Sequence, residues 1–212
     1  VKVYGVQAAG APSMVQSLEK KRKEMLASVS TIADGIAVKQ PGDLTYEICS
    51  KYVDGFVTVT EDEICAAILQ LLEAEKVIAE GAGAASVAAV MYNKVPVKGK
   101  KTICVVSGGN IDVTILNRVI MRGLTKSGRF SVINVELDDQ PGRLSEVASV
   151  IASCGGNIVS VRHERSGDSE NINACMLRIV CETRNDEHIQ LINKALTDKG
   201  FKLLGKIKVA PY

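Results

Sequence analysis

The stretch Cys104-Val-Val-Ser-Gly-Gly-Asn-Ile-Asp112 runs an apolar segment into two glycines and then into polar residues that can open a helix. A strand ending in Ser107-Gly-Gly109 sets a hydroxyl and closely approachable backbone at the carboxyl end of a parallel sheet, where open α/β proteins bind ligands. The spacing matches neither GxGxxG nor the P-loop pattern, so it predicts no phosphate cradle. Taken alone, the same residues also serve as an ordinary turn.

Upstream of this stretch, Val1-Lys-Val-Tyr-Gly-Val-Gln7 and Gly55-Phe-Val-Thr-Val59 have strand character, as does Lys101-Thr-Ile-Cys-Val-Val106 itself. Helical segments lie between them. Pro12 to Leu18 is a short candidate. Thr60-Glu-Asp-Glu63 fits a capping box that opens a helix reaching about Lys76. The small residues from Gly81 to Val90 suit a helix packed close to its neighbours. Strands alternating with helices predict a parallel sheet. Three strands are few for a sheet that needs cover on both faces, so the segment reads as part of a larger domain. From Asn110 to Leu124 apolar residues recur at Ile111, Ile115, Val119 and Ile120, a helical spacing that Lys126-Ser-Gly-Arg129 interrupts. The expected domains are therefore 1–125 and 129–212.

The second domain reads as strand Phe130–Leu137, turn Asp138–Gly142, helix Leu144–Cys154, strand Ile158–Arg165, strand Asn173–Thr183, helix Asp186–Lys199 and strand Phe201–Val209. The order is βαββαβ, ferredoxin-like.

Composition narrows the classes of function. With 212 residues, 46% hydrophobic and 24% charged, the chain has the make-up of an ordinary globular protein, and a net charge of +2 favours no polyanionic partner such as nucleic acid. The basic run Lys20-Lys-Arg-Lys23 reads as a solvated helix end. The longest uncharged apolar run, Gly81–Asn93, is too short to span a bilayer, and no charged leader precedes an apolar stretch; the expectation is a cytoplasmic protein without a membrane partner. Six cysteines (49, 65, 104, 154, 175, 181) form no CxxC pair and read as free thiols in apolar segments. His163 and His188 lack any zinc-ligand spacing, so no metal is expected.

The SGGN stretch also has company. Thr31-Ile-Ala-Asp-Gly35, Pro41-Gly-Asp-Leu-Thr-Tyr-Glu47, Thr60-Glu-Asp-Glu-Ile64 and Glu80-Gly-Ala-Gly-Ala84 precede it in that order. Together these motifs resemble the catabolic-type threonine ammonia-lyases (threonine dehydratases), pyridoxal-phosphate enzymes of fold type II related to serine racemase. The likeness covers the second half of their catalytic domain. It implies that Ser107 hydrogen-bonds the pyridine nitrogen of pyridoxal 5'-phosphate, that Gly108 and Gly109 let the ring lie against backbone, and that Glu80 stands near the same pocket. For Glu80, a helix-start carboxylate favoured by the dipole is the other reading. The family's Schiff-base lysine and tetraglycine phosphate loop lie before Val1, so no catalytic residue is assigned in this chain and the chain alone is expected to be inactive. Where serine racemases hold a divalent cation this sequence has Gln7 and Ser13, which again predicts no metal.

Residues 129–212 resemble an ACT domain, through Asp139-Gln-Pro-Gly-Arg143 after the first strand and Gly155-Gly-Asn-Ile158 before the second. Free backbone N–H groups at the start of the Leu144 helix suit a carboxylate, and Asn157 can hydrogen-bond it. The candidate effector site is Asp139, Gln140, Gly142, Arg143 and Asn157, for an amino acid such as isoleucine or valine or a nucleotide such as AMP or ADP. The same residues also serve in a domain whose task is dimerisation. The implied whole is a threonine ammonia-lyase, with serine as a second substrate, forming a homodimer or homotetramer. The rival reading is a non-catalytic effector-binding and dimerisation module.

Overall fold

The structure is a computed structural model. It describes residues 1–165 and 174–205. The chain folds as two compact units, Val1–Gly123 and Leu124–Tyr212.

In the first unit β1 (Tyr4–Ala8) pairs in parallel with β2 (Gly55–Val59), Tyr4 opposite Gly55 and Ala8 opposite Val59. Parallel neighbours need a crossover. It consists of α1 (Ser13–Glu19), a 3-10 turn at Asp34–Ile36 and α2 (Asp43–Tyr52). α3 (Glu61–Gln70) opens on the capping box: Thr60 Oγ1 accepts from the Glu63 amide at 3.3 Å, and Glu63 Oε2 accepts from the Thr60 amide at 2.8 Å. A π-turn, Leu71–Glu75, carries it on to Lys76, whose φ of 58° ends it. α4 (Gly81–Met91) follows, then α5 (Val113–Lys126). The core is made by Val59, Ile64 and Ile68 against Ala84, Ala85 and Ala88, where alanines let α3 and α4 approach closely. Each fully buried isoleucine there contributes about 1.5–3 kcal/mol.

The expected third strand, Lys101–Val106, is not one. A strand exists through hydrogen bonds to a neighbour, and among the described residues none runs beside it. Ile103 is 92% exposed and Val105 71%. The segment lies instead along α4, where Ser86 Oγ donates to the Val105 carbonyl at 2.9 Å and Cys104 Sγ to the Ser86 carbonyl at 3.7 Å.

The second unit has a four-stranded antiparallel sheet in the order β4-β5-β3-β6: β3 (Phe130–Asp138), β4 (Asn157–Glu164), β5 (Ala174–Glu182) and β6 (Lys202–Leu204). The expected strands begin or end within a residue or two of these where they fall on described residues; Asn173, at the start of one, and the end of the last, to Val209, lie outside them. α6 (Arg143–Ser153) and α7 (Asp186–Asp198) pack on one face, with Val147, Ile151, Ile192 and Leu196 buried against Val135, Leu177, Ile179 and Cys181. α6 is closed by the amides of Gly155 and Gly156, which donate to the carbonyls of Ala152 and Ile151. Asn185 Oδ1 caps α7 by accepting from the His188 amide. The buried His188 ring accepts the Arg184 amide at Nδ1 and donates from Nε2 to the Cys154 carbonyl, so it is fixed by structure. All six cysteines are free; Cys65, Cys175 and Cys181 are buried, the other three half-buried. No helix among the described residues is long and apolar enough to cross a membrane.

Candidate functional site

Three of the quoted motifs converge in the first unit. The Glu80 amide donates to the Gly108 carbonyl at 3.0 Å, which fastens the Ser107-Gly-Gly109 loop to the start of α4. A Cβ on Gly83 would stand 2.9 Å from the Gly108 carbonyl oxygen and 3.1 Å from its nitrogen, so only glycine lets helix and loop backbone meet. On the opposite side of the helix start, Gly81 lies as closely against the backbone of Ile32 and Ala33. That loop is held by the Ile32 amide donating to Glu61 Oε2 at 2.8 Å and the Ala33 amide donating to Thr31 Oγ1 at 3.1 Å. Thus Thr31–Gly35, Glu80–Ala84 and Ser107–Gly109 form one backbone cluster.

Within it the Ser107 side chain is exposed and makes no hydrogen bond to the described residues. The half-buried Glu80 carboxylate lies against Gly108: a Cβ there would meet its Oε1 at 2.4 Å. Glu80 makes no capping bond to α4, so the helix amides do not hold it. Three residues past Gly109, Asp112 Oδ1 accepts from the amides of Thr114 (2.7 Å) and Ile115 (3.4 Å) and caps α5. These bonds, with that from the Thr114 hydroxyl first, hold the Asp112 carboxyl below the ordinary carboxylate range. With those amides occupied, the start of α5 offers little to a phosphate. Gln7 Oε1 accepts from the Val15 amide at 2.9 Å and Ser13 is buried, so the carbonyl of Gln7 serves α1.

In the second unit the Asp139–Gly142 turn borders a cavity of about 350 Å³. Asp139, Gln140, Gly142, His163 and Arg165 line it, over Leu137 and Leu177. Gly142 precedes α6 at φ 92°, and no side chain caps the helix, so its first amides lack a side-chain acceptor. Arg143 does not face this cavity. Its guanidinium donates to Glu146 Oε2 at 2.6 Å and lies 4.9 Å from the centre of the Phe201 ring. Nor does the fold bring Asn157 to the turn: it pairs with Glu182, at the opposite end of the sheet from Asp138, and donates to Glu182 Oε2 at 2.8 Å. Eight strand residues separate the two ends, roughly 25 Å.

The cavity's two basic side chains, His163 and Arg165, are missing from the expected set, as are its apolar lining residues. Arg165 Nε donates to Asp139 Oδ2 at 2.6 Å, and His163 Nε2 lies 3.5 Å from Asp139 Oδ1. The legible signal was the alternation Val161, His163, Arg165: Val161 and His163 share one face of β4, and Arg165 continues the period just past its end.

Residues 1–109 match the family model described as pyridoxal-phosphate dependent enzyme, and residues 131–198 match that of the ACT domain. The chain belongs to the pyridoxal-phosphate-dependent enzyme family. It is 49% identical over 203 residues to the L-threonine ammonia-lyase of Thermotoga maritima, covering 96% of this chain and 50% of that protein. To the L-threonine ammonia-lyase of Geobacter sulfurreducens it is 43% identical, over 95% of this chain and 50% of that one. The chain thus spans about half the length of the curated relatives it matches. Among solved structures, processed threonine deaminase isoform 2 of Solanum lycopersicum superposes with a TM-score of 0.53 at 33% identity, over 57% of this chain and 34% of that one. Maize serine racemase gives 0.50 at 28% identity, over 57% and 40%.

The residues present fit the family's cofactor at one end of its ring. A backbone cradle that any Cβ at Gly83 would disturb, and beside it a serine hydroxyl without a partner among the described residues, suit a flat heteroaromatic ring with one acceptor nitrogen.

Proposed function

We propose that this chain is the carboxy-terminal part of a cytoplasmic, pyridoxal-phosphate-dependent L-threonine ammonia-lyase that converts threonine to 2-oxobutanoate and ammonia, with residues 1–125 in the catalytic domain and 129–212 as its ACT regulatory domain. The observation that carries the reading is the Ser107 hydroxyl, without a partner among the described residues, on a loop fastened to Glu80 and Gly83. When bound, pyridoxal phosphate supplies the electron sink for the charge left at Cα once its proton is removed. Ser107 would donate to the pyridine nitrogen as a neutral group and leave it largely unprotonated, which suits loss of a β-hydroxyl better than transamination. Gly108 and Gly109 would back the ring, and Glu80, which makes no capping bond to α4 and lies against Gly108, would stand beside it. In the complete enzyme, threonine should give 2-oxobutanoate and serine pyruvate; a complete enzyme that binds the cofactor and releases neither keto acid would overturn the reading.

The cavity at Asp139–Gly142 supports an amino-acid effector: the uncapped amides of α6 for its carboxylate, Asp139 for its ammonium, Leu137 and Leu177 for an apolar side chain. β4 is an edge strand with Val159 and Val161 exposed, and an edge of this kind takes a second copy. Antiparallel pairing of two β4 strands about their midpoint would bring Asn157 of the second copy to the Glu164 end of the first, beside this cavity. The separation of Asn157 from Asp139 within one copy then becomes a reason for dimerisation. Isothermal titration with isoleucine, valine, AMP and ADP distinguishes the effector classes, and no heat with any of them counts against the site.

The module reading has its own observation. None of the three convergent loops carries a lysine, whereas most of the cavity is built from this chain alone. On its own, the chain would act as an effector-binding and dimerising module.

A further inference from the structure

The register of the second sheet brings three metal-ligating side chains to one place. His163 on β4 lies opposite Leu177 on β5, and Cys175, two residues before Leu177, lies opposite Leu137 on β3. Asp139 follows Leu137 by two. Period-2 alternation therefore puts His163, Cys175 and Asp139 on the same face, with Cys175 between the other two. Their ligand atoms all lie within 4.8 Å of one another.

We propose that Asp139, His163 and Cys175 form a binding site for a divalent metal ion of the zinc class, with its open coordination position facing the regulatory cavity. Imidazole, thiolate and carboxylate together favour zinc over magnesium or calcium, which prefer oxygen donors alone. A tetrahedral zinc ion about 2.0–2.2 Å from nitrogen and oxygen holds those atoms about 3.3–3.5 Å apart. Asp139 Oδ1 and His163 Nε2 already stand at 3.5 Å. The second oxygen of Asp139 is held by Arg165 at 2.6 Å, which orients the carboxylate and leaves Oδ1 to coordinate. Cys175 is buried, at 1% exposure, so the sulfur is fixed by the core, while His163 on the edge strand is free to close the remaining gap. Three protein ligands leave a fourth position. It opens toward the space lined by Gln140 and Gly142, where a water or an incoming carboxylate completes the sphere. The ligands all come from one copy, and the site shares Asp139 with the effector reading: a metal on Oδ1, with Arg165 on Oδ2, takes the place of an effector ammonium at that carboxylate.

The test uses the 212-residue chain, stripped with a chelator and titrated with cobalt(II). The expected result is a near-ultraviolet thiolate-to-cobalt band with visible bands of tetrahedral intensity, saturating at one equivalent and reversed by zinc(II). Cys175→Ser should abolish the thiolate band, and His163→Gln and Asp139→Asn should each weaken cobalt binding by about tenfold or more. Far-ultraviolet circular dichroism checks folding; if the buried Cys175 variant fails to fold, the edge-strand His163→Gln variant decides. No band in the parent chain, or a band unchanged in His163→Gln and Asp139→Asn, overturns the proposal, because another thiol would then hold the metal. Effector titration on the metal-free chain reads the amino-acid site separately.

Discussion

Replacing Gly83 with alanine tests whether the SGGN loop is seated on α4. In an exposed helix the change would stabilise by about 1 kcal/mol, because alanine loses less backbone entropy. Here the new Cβ would stand 2.9 Å from the Gly108 carbonyl oxygen, 3.1 Å from the Gly108 nitrogen and 3.3 Å from the Ser107 nitrogen. All three are backbone atoms, and the loop is fixed besides by the bond from Glu80 and by Ser86 to Val105. It has no rotamer with which to yield. Overpacking of this kind costs about 1–3 kcal/mol, and contact with three atoms puts it toward the upper end. The clash therefore wins, and the net loss is about 1–2 kcal/mol. For a unit of this size that lowers Tm by roughly 3–10 °C. The assay is thermal unfolding of the 212-residue chain followed by circular dichroism, with cofactor affinity of the complete enzyme as a second readout. A Gly83→Ala variant as stable as the parent, or more stable by the full helix gain, would show that the loop does not rest on the helix.

Three further outcomes follow from other parts of the molecule. Burial pushes the Glu63 carboxyl up, but the bonds from Lys94 at 2.8 Å and from the Thr60 amide outweigh it and hold the group below its ordinary 4.5. A folded value below the unfolded one gives stability that is complete above about pH 4.5 and is lost as pH falls through the folded value, so Lys94→Met should move the acid-unfolding midpoint to higher pH; an unmoved midpoint refutes it. Gly142→Val puts a β-branched residue at φ 92°, a strain of about 1–3 kcal/mol at the turn, and should remove any change in the threonine saturation curve of the complete enzyme on adding isoleucine, valine, AMP or ADP. A parent-like response rules the turn out. Val159→Lys charges the exposed β4 edge and should shift the 212-residue chain toward monomer in sedimentation velocity, where an unchanged dimer would place the interface elsewhere.

What was legible in the sequence was what is local. Thr60 and Glu63 form a capping box within four residues, and the alternating and helical periods from residue 130 to residue 204 give the βαββαβ order without reference to anything distant. α2 was equally legible yet is absent from the expected elements: Leu44, Ile48 and Tyr52 recur at helical spacing, beneath the motif Pro41–Glu47. Non-local facts were hidden. Lys101–Val106 has strand composition, yet strand formation depends on a neighbour that composition does not reveal. Gly83 meeting Gly108, Asn157 lying at the far end of the sheet from Asp139, and Cys175 falling between Asp139 and His163 all depend on pairing register across long separations. The position of Ser107 came from motif company, because a lone SGGN describes a turn as well as a site.

In the proposed threonine ammonia-lyase, Ser107 serves the ring nitrogen of the cofactor. Ser107→Ala in the complete enzyme isolates that role, with 2-oxobutanoate release from threonine and the visible absorbance of bound pyridoxal phosphate followed on the same preparation. Loss of a donor to a buried acceptor costs about 1–3 kcal/mol, which predicts a fall in kcat/KM or cofactor affinity of roughly 5- to 150-fold with the fold intact. Turnover and cofactor affinity equal to the parent's would show that Ser107 does not serve the ring.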